Sequence, residues 1–335
     1  MKVLLSGTAG GAGWPAPGCP CASCSRPPSG HRRPFAAVVD DAVRLSFHSP
    51  LTGLPPGYLA YGGRALTGPD GAALLCLPPG QEPPDDGPPR YDVVLVDVLE
   101  RPERLGELRR AGLVDGGTLV AAVGLDHRVR SEEELARRLR LWGVASVPDG
   151  TELRSGVPGP APAVPRRSLL LGGSRSGKSA EAELRLAAEP YVTYVATGPG
   201  GAGDAEWAAR VRAHRERRPA HWATLETTDL VAALRGADAP LLVDGLGTWL
   251  AAVFDEHGAW EGDRTAVDAR CDALVAAWRE ASAPVVAVSD EVGMGVVPAT
   301  ASGRAFRDAL GRLNERLAAE SEYVALVVAG RLLEL

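Results

Sequence analysis

No apolar run in this chain approaches the roughly 20 residues a membrane-spanning helix needs, so no segment reads as a transmembrane span. Excess basic charge is missing as well. The formal net charge is −6, which argues against the electrostatic footprint of a DNA- or RNA-binding protein. Lysine is almost absent: Lys2 and Lys178 are the only two, and the remaining basic charge is arginine. A chain that avoids lysine yet keeps one at position 178 points to an ammonium being needed there. Cysteines are five, an odd count, with Cys19, Cys21 and Cys24 clustered and Cys76 and Cys271 alone. This pattern argues against a disulfide framework and for metal binding or buried thiols in a reducing compartment. The apolar stretch in the opening MKVLLSGTAGG is too short for a signal peptide, so a cytoplasmic protein is expected.

What is present suffices for a folded molecule. With 335 residues, 45% of them apolar and 23% charged, the chain is long enough for one large or two ordinary domains, and each half can bury a core. The clearest break is SGVPGPAPAVPRR, Ser155 to Arg167, whose prolines and small residues read as an interdomain linker. The domains are therefore set at 1–154 and 167–335, with 155–166 between them. A second proline-rich stretch, Leu77–Arg90, reads as a long surface loop.

In the C-terminal half, RSLLLGG (Arg167–Gly173), YVTYVATG (Tyr191–Gly198), APLLVDGLG (Ala239–Gly247), APVVAVSDEVG (Ala283–Gly293) and EYVALVVAG (Glu322–Gly330) are short, rich in Val and Leu, and end in small residues. Such runs fit strands covered on both faces. Between them, SAEAELRLAAE, DAEWAARVRAHRERR, Thr265–Ser282 and GRAFRDALGRLNERLAAE have helical spacing. The alternation predicts a doubly wound α/β domain with a mostly parallel sheet and ligands at the carboxyl ends of its strands. Phe306, Leu310, Leu313 and Leu317 fall on one helical face and read as core. The N-terminal half offers the strands KVLLSG, AAVVDD, VRLSFH, ALLCLP, YDVVLVDV and GTLVAAVGL, and helices over Arg101–Ala111 and Ser131–Leu141, which suggests a smaller α+β domain.

Gly172–Gly173–Ser174–Arg175–Ser176–Gly177–Lys178–Ser179 fits G-x-x-x-x-G-K-[ST] between a strand and a helix, the context that gives this motif its meaning. Its glycines let backbone N–H groups turn around phosphate oxygens at a helix N-terminus. Lys178 is placed to reach the β- and γ-phosphates, and Ser179 to ligate Mg²⁺. Asp244, at the end of LLVD, is a second Mg²⁺ candidate or a strand-end acid capping a turn. The segment AARVRAHRERRPAHWATLE carries His214 next to Arg215, Arg217 and Arg218. A neutral imidazole can attack phosphorus while guanidiniums bind its oxygens, although an arginine-rich helix face is more often simply solvated.

Taken together, GGSRSGKS, YVATG, AARVRAHRERRPAHW, LLVDGLGTWL and VSDEVGMGVVP…FRDALGRLNERLA, in that order, resemble the bifunctional adenosylcobinamide kinase/adenosylcobinamide-phosphate guanylyltransferases of cobalamin biosynthesis over residues 167–332. The resemblance implies a RecA-like P-loop NTPase fold, two reactions at one nucleotide region, and a homo-oligomer of three subunits. First, the terminal hydroxyl of adenosylcobinamide takes a γ-phosphoryl from ATP or GTP. Then a histidine attacks the α-phosphorus of GTP, expels pyrophosphate, and passes GMP to the cobinamide phosphate, giving adenosylcobinamide-GDP. Carried over by position, His214 is the guanylylated nucleophile, with His221 as its rival. Arg215, Glu216, Arg217, Arg218 and Glu226, together with Thr197, Gly198, Pro199 and Asp244, would bind the nucleotide. Two positions depart from the family pattern: Asp290 stands where Asn is common before the Glu-Val-Gly segment, and Glu315 where Gln is common after Asn314.

In the N-terminal half, Cys19, Cys21 and Cys24 form C-x-C-x-x-C, a spacing that suits a tetrahedral structural zinc completed by a remote histidine. The opening GTAGGAGWPAPGCPCASC resembles metallo-β-lactamase-fold hydrolases of the phosphodiesterase type, some of which carry such a zinc closed by a late histidine. His127 is the best match, ahead of His31 and His48. Their hydrolytic H-x-H-x-D-H is absent, since no two histidines in the first 165 residues lie two apart. The domain is thus expected to be a truncated, non-catalytic relative. Two other readings compete for the whole chain: a metal-dependent phosphodiesterase with a nucleotide-sensing half, and a non-enzymatic nucleotide-binding regulator.

Overall fold

The structure is a computed structural model, and it describes residues 1–198, 212, 215, 216 and 218–335. These form two compact units: Met1–Ala163 with Ala187–Pro190, and Val164–Leu186 with Tyr191–Leu335.

The first unit runs β1 (Lys2–Gly7), β2 (Ala36–Val39), β3 (Val43–Leu45), β4 (Leu59–Tyr61), β5 (Ala65–Thr67), β6 (Ala73–Leu77), β7 (Val93–Val96), α1 (Glu103–Arg110), β8 (Leu119–Ala122), α2 (Glu132–Trp142) and β9 (Thr151–Arg154). Its four-stranded sheet has the order β3-β2-β1-β9 and is antiparallel throughout. Its five-stranded sheet runs β4-β5-β6-β7-β8, and the last two pairings are parallel. Burial alternates along β1, whereas β6, β7 and β8 are buried at every residue. That is the difference between a sheet covered on one face and one covered on both. Val3, Leu5 and Val39 of the first sheet share a core with Leu74, Leu95 and Ala121 of the second. Ser131 caps α2 by accepting from the Glu134 N–H, and Gly143 ends it in the left-handed conformation.

The proline-rich segment after β9 does not hang free. Ala163 N–H donates to Arg140 O at 3.0 Å, and a Cβ on Gly143 would meet Pro162 Cδ at 2.7 Å. Residues up to Ala163 therefore belong with the first unit, because the prolines lie against the end of α2.

The second unit comprises β10 (Arg167–Gly172), α3 (Lys178–Leu186), β11 (Thr193–Ala196), β12 (Ala223–Glu226), α4 (Leu230–Arg235), β13 (Leu241–Asp244), α5 (Leu246–Glu256), α6 (Thr265–Glu280), β14 (Val285–Asp290), α7 (Ala301–Ala319), β15 (Tyr323–Val328) and β16 (Arg331–Glu334). Its seven strands lie in the order β12-β11-β13-β14-β10-β15-β16, all parallel except β16. Alternate residues feed two cores. Leu169, Leu171, Val243 and Ala287 pack with Trp249, Leu274 and Leu310 of the helices on one face, while Leu170, Leu242 and Val286 pack with Ala182 and Leu186 of α3 on the other. This is why the strands read as unbroken apolar runs. Leu310, Leu313 and Leu317 of α7 are buried, with Phe306 partly buried beside them.

Strands β4, β5, β9, β12 and β16 and helices α4 and α5 are absent from the sequence reading. β12 is exposed at every residue and β16 nearly so, which leaves them no apolar signature to read. The run Ala239–Gly247 is strand only over Leu241–Asp244, and its last two residues already begin α5. The helix expected over 204–218 lies outside the described residues except at 212, 215, 216 and 218.

Candidate functional site

The carboxyl ends of β10, β11, β13 and β14 open on one cavity of about 440 Å³. The chain leaving β10 turns back through the phosphate loop before α3 begins at Lys178. This turn demands glycine at Gly177, whose φ is +98° and where a Cβ would lie 3.3 Å from Gly330 Cα. Arg175 adopts φ +57°, so two left-handed residues shape the loop. Gly330 N–H donates to Ser176 O at 2.7 Å and fixes it from the β15–β16 turn. The Ser176 hydroxyl is buried and has no hydrogen-bond partner among the described residues.

Lys178 is 8% exposed, and its Nζ donates to Gly173 O at 3.0 Å and pairs with Asp290 Oδ1 at 2.8 Å. Ser179 Oγ donates to Asp244 Oδ1 at 3.0 Å. The other Asp244 oxygen accepts from the Tyr194 hydroxyl at 2.5 Å. Burial, then the neighbouring Asp244 charge, pushes the Tyr194 hydroxyl far above its usual range, so it remains a donor at any physiological pH. A hydroxyl and a carboxylate meeting beside a phosphate loop are the hard oxygen donors that Mg²⁺ takes alongside phosphate oxygens and water, so the residues present fit that ion. Arg218 stacks its guanidinium 3.7 Å from the centre of the Tyr194 ring. On the far rim Arg215 pairs with Glu226, both more than half exposed. Thr197 Oγ1 donates to Gly245 O at 2.7 Å and lies 2.8 Å from Thr248 Oγ1, tying the ends of β11 and β13 together.

Of the residues named from the sequence, the structure brings Gly173, Ser174, Lys178, Ser179, Thr197, Gly198, Arg215, Arg218, Glu226 and Asp244 to the cavity wall. Gly172, Arg175, Ser176 and Gly177 shape the loop without lining the cavity, and Glu216 is exposed away from it. Pro199, Arg217 and the nucleophile candidate His214 lie outside the described residues, while His221 is described but does not line the cavity. The sequence reading missed Tyr194, Thr224 and Thr248, gave Asp290 no role in the site, and took Glu291 and Val292 as part of a family segment able to lie beside a ligand without naming them as site residues, although all six are on the wall. For Asp290 and Glu291 the available signal was position, since the first ends and the second follows a strand that stops at the same level as the phosphate loop.

A second cluster lies in the first unit. The ligand atoms of Cys19, Cys21, Cys24 and His127 all fall within 4.8 Å of one another, the only such group among the described residues. His127 Nδ1 is 3.5 Å from Cys19 Sγ and 3.4 Å from Cys24 Sγ. Zn–S bonds of about 2.3 Å and Zn–N bonds of about 2.0–2.1 Å in a tetrahedron put such atoms roughly 3.5–3.8 Å apart, so the donor set fits zinc. His31 instead pairs with Glu132 at 2.7 Å, and His48 lies against Gly11.

The family described as cobinamide kinase / cobinamide phosphate guanyltransferase matches residues 168–335. The chain is 40% identical over 174 residues to the bifunctional adenosylcobalamin biosynthesis protein CobU of Salmonella typhimurium, spanning 48% of this chain and 95% of that one. It is 41% identical over 172 residues to the bifunctional adenosylcobalamin biosynthesis protein CobP of Pseudomonas aeruginosa, spanning 49% of this chain and 94% of that one. Among solved structures it is similar to the assembled ATPase EscN of the enteropathogenic E. coli type III secretion system, at 12% identity and a TM-score of 0.33, over 49% of this chain and 43% of that one.

Proposed function

Because the chain belongs to the cobinamide kinase / cobinamide phosphate guanyltransferase family through residues 168–335, we propose how its own residues divide the two reactions of cobalamin biosynthesis. The enzyme phosphorylates cobinamide and then guanylylates the product. The observation that carries the assignment of residues is the convergence of Lys178, Ser179 and Asp244 on one cavity at the strand ends.

In the kinase step the amides of Gly173 to Lys178 and the Lys178 ammonium hold the β- and γ-phosphates of ATP or GTP. Ser179 and Asp244 would hold Mg²⁺, which when bound would offset the negative charge shared by the phosphates. Tyr194, kept protonated, fixes the second Asp244 oxygen so that the first faces Ser179. The substrate hydroxyl then attacks the γ-phosphorus and gives up its proton, the bond to the β–γ bridging oxygen breaks, and the nucleoside diphosphate leaves. In the second step His214 attacks the α-phosphorus of GTP, pyrophosphate leaves, and the cobinamide phosphate takes GMP from the imidazole. Arg215 and Arg218, already on the cavity wall, supply guanidiniums for the phosphate oxygens, and Glu226 holds Arg215 at the rim. A phosphoramidate N–P bond breaks readily once its imidazole is protonated, which makes a histidine a suitable relay.

For the first unit we propose a truncated metallo-β-lactamase-like sandwich without hydrolytic function, held at one end by zinc on Cys19, Cys21, Cys24 and His127. Two sheets sharing one core and the four converging ligands support this.

The deciding experiment incubates the protein with Mg²⁺ and GTP labelled at the α- or the γ-phosphate, without cobinamide, and then denatures it. Acid-labile, alkali-stable label is expected from the α position only, abolished in His214→Ala and kept in His221→Ala. No label on the wild type would overturn the guanylyl-histidine, and loss only in His221→Ala would move the nucleophile. Label from the γ position would assign a different chemistry.

A further inference from the structure

In a phosphate loop that waits for a polyanion, the lysine ammonium is the strongest attractive charge. Here that charge already has a partner. Asp290 ends β14 in register with Gly172, the last residue of β10 and the first of the loop, so its carboxylate is delivered to the level of the phosphate loop. Its backbone is well held: Asn314 Nδ2 donates to Asp290 O at 3.2 Å, and the Asn314 side chain is itself fixed by the buried Ser289 hydroxyl at 2.6 Å. Space for the side chain is made on the other side by Gly247, where a Cβ would come within 2.9 Å of Asp290 Oδ2. The result is an ion pair of 2.8 Å between Asp290 and Lys178, whose ammonium side is 10% exposed and whose carboxylate side is 41% exposed.

We propose that Asp290 is a positioning residue of the nucleotide site, a built-in counter-ion that a triphosphate has to displace from Lys178. The inference rests on the reading of this cavity as the nucleotide site. When phosphate oxygens take the ammonium, the Asp290 carboxylate loses its partner and is left among like charges in a cavity partly shielded from water. Electrostatic energies are magnified there relative to bulk solvent. A free triphosphate therefore meets a penalty, and a divalent cation arriving with the nucleotide removes it by restoring positive charge near both. Asp290 thus makes tight nucleotide binding conditional on the cation, although Ser179 and Asp244 are the residues placed to hold it. The same ion pair, with the bond to Gly173 O, holds the Lys178 ammonium at the loop before phosphates arrive.

The test titrates the full-length protein with GTP by calorimetry at constant ionic strength, once with Mg²⁺ and once with the ion chelated, for wild type, Asp290→Asn and Asp290→Glu. Without Mg²⁺, Asp290→Asn should bind GTP about tenfold tighter than wild type, the size of a typical coupling between two ligands. With Mg²⁺ the two should agree within about threefold, so the variant loses most of the dependence on the cation. Asp290→Glu should restore that dependence, which a purely structural role for the side chain would not. Equal affinities in the absence of Mg²⁺, or weaker binding by Asp290→Asn in both conditions, would overturn the proposal while leaving the nucleotide site intact. Failure of the wild type to bind GTP in either condition would overturn the reading of the cavity itself. A matching thermal midpoint for the three proteins is required, and Asp290→Ser serves as a second charge-removing variant should the asparagine variant misfold.

Discussion

Lys178 shows how far a single residue can be read from a sequence. Its isolation in a chain of arginines, inside a glycine-rich motif, was enough to single it out, and the structure puts it on the cavity wall. What the sequence could not supply was its partner, because Asp290 lies 112 positions away and meets it only through the parallel pairing of β10 with β14. Tyr194 was illegible for the same reason: nothing in YVTY says which tyrosine faces Asp244. Replacing Lys178 by Ala should weaken GTP binding about 100-fold, since charge-assisted contacts to two phosphates are lost together. Calorimetric affinity unchanged within threefold would remove the ammonium from the site. The cysteine cluster is legible in another way, because three ligands within six residues leave only the fourth to be found in space. Cys24→Ser should lower zinc from about one per chain to near zero, measured by plasma emission on protein purified without chelator. Thermal unfolding should come several degrees earlier, as structural zinc contributes folding energy directly. Full zinc content in that variant would mean that the ion sits elsewhere.

At the scale of elements, the central strands of the second unit were read from the sequence, whereas its edge strands and the helices α4 and α5 were not. The central strands carry apolar side chains on both faces, and that signal survives in any register. Edge strands such as β12 and β16 are set by hydrogen bonding to a neighbour, which leaves little trace in composition. One device that ties two adjacent strands is electrostatic. Glu322, just before β15, accepts from the Arg167 N–H at 2.7 Å and from its guanidinium at 2.6 Å, at the start of β10. The Arg167 hydrogen bonds hold this carboxyl down at about 2, against an ordinary 4.5. A lowered folded-state value means that the stabilisation is fully present above the unfolded value of 4.5 and is lost as pH falls toward 2. Because the Glu322 side chain is 40% exposed, solvent screening cuts the effect to roughly 1 kcal/mol. Urea unfolding of Glu322→Gln should therefore show a deficit of about that size at pH 7, shrinking through pH 4 and vanishing near pH 2. A deficit independent of pH would assign the contact to packing instead of charge.

For the whole molecule, the question is what the first unit adds to a second unit that already spans nearly the full length of its relatives. Among the described residues, those lining the cavity all come from the second unit, and Cys19, Cys21, Cys24 and His127 come from the first. The two groups of residues fall in different units, so they should be separable by cutting the chain. The cut belongs after Ala163, because the prolines before it are packed on α2 and Val164 already sides with the core behind β10. One contact argues that separation is not free: Ala187–Pro190 group with the first unit, and Arg109 Nη1 donates to Ala188 O at 2.8 Å. Residues 164–335 alone should therefore melt a few degrees lower than the same unit in the full chain, since a buried guanidinium contact beyond α3 is lost. Their GTP affinity should stay within about threefold, because none of the groups that line the cavity has been removed, and they should take the same α-phosphate label per chain. Residues 1–163 should keep the zinc and bind no GTP. If the shorter chain is folded by circular dichroism yet loses GTP affinity more than tenfold, the first unit takes part in the nucleotide site and the division into a catalytic half and a structural half fails.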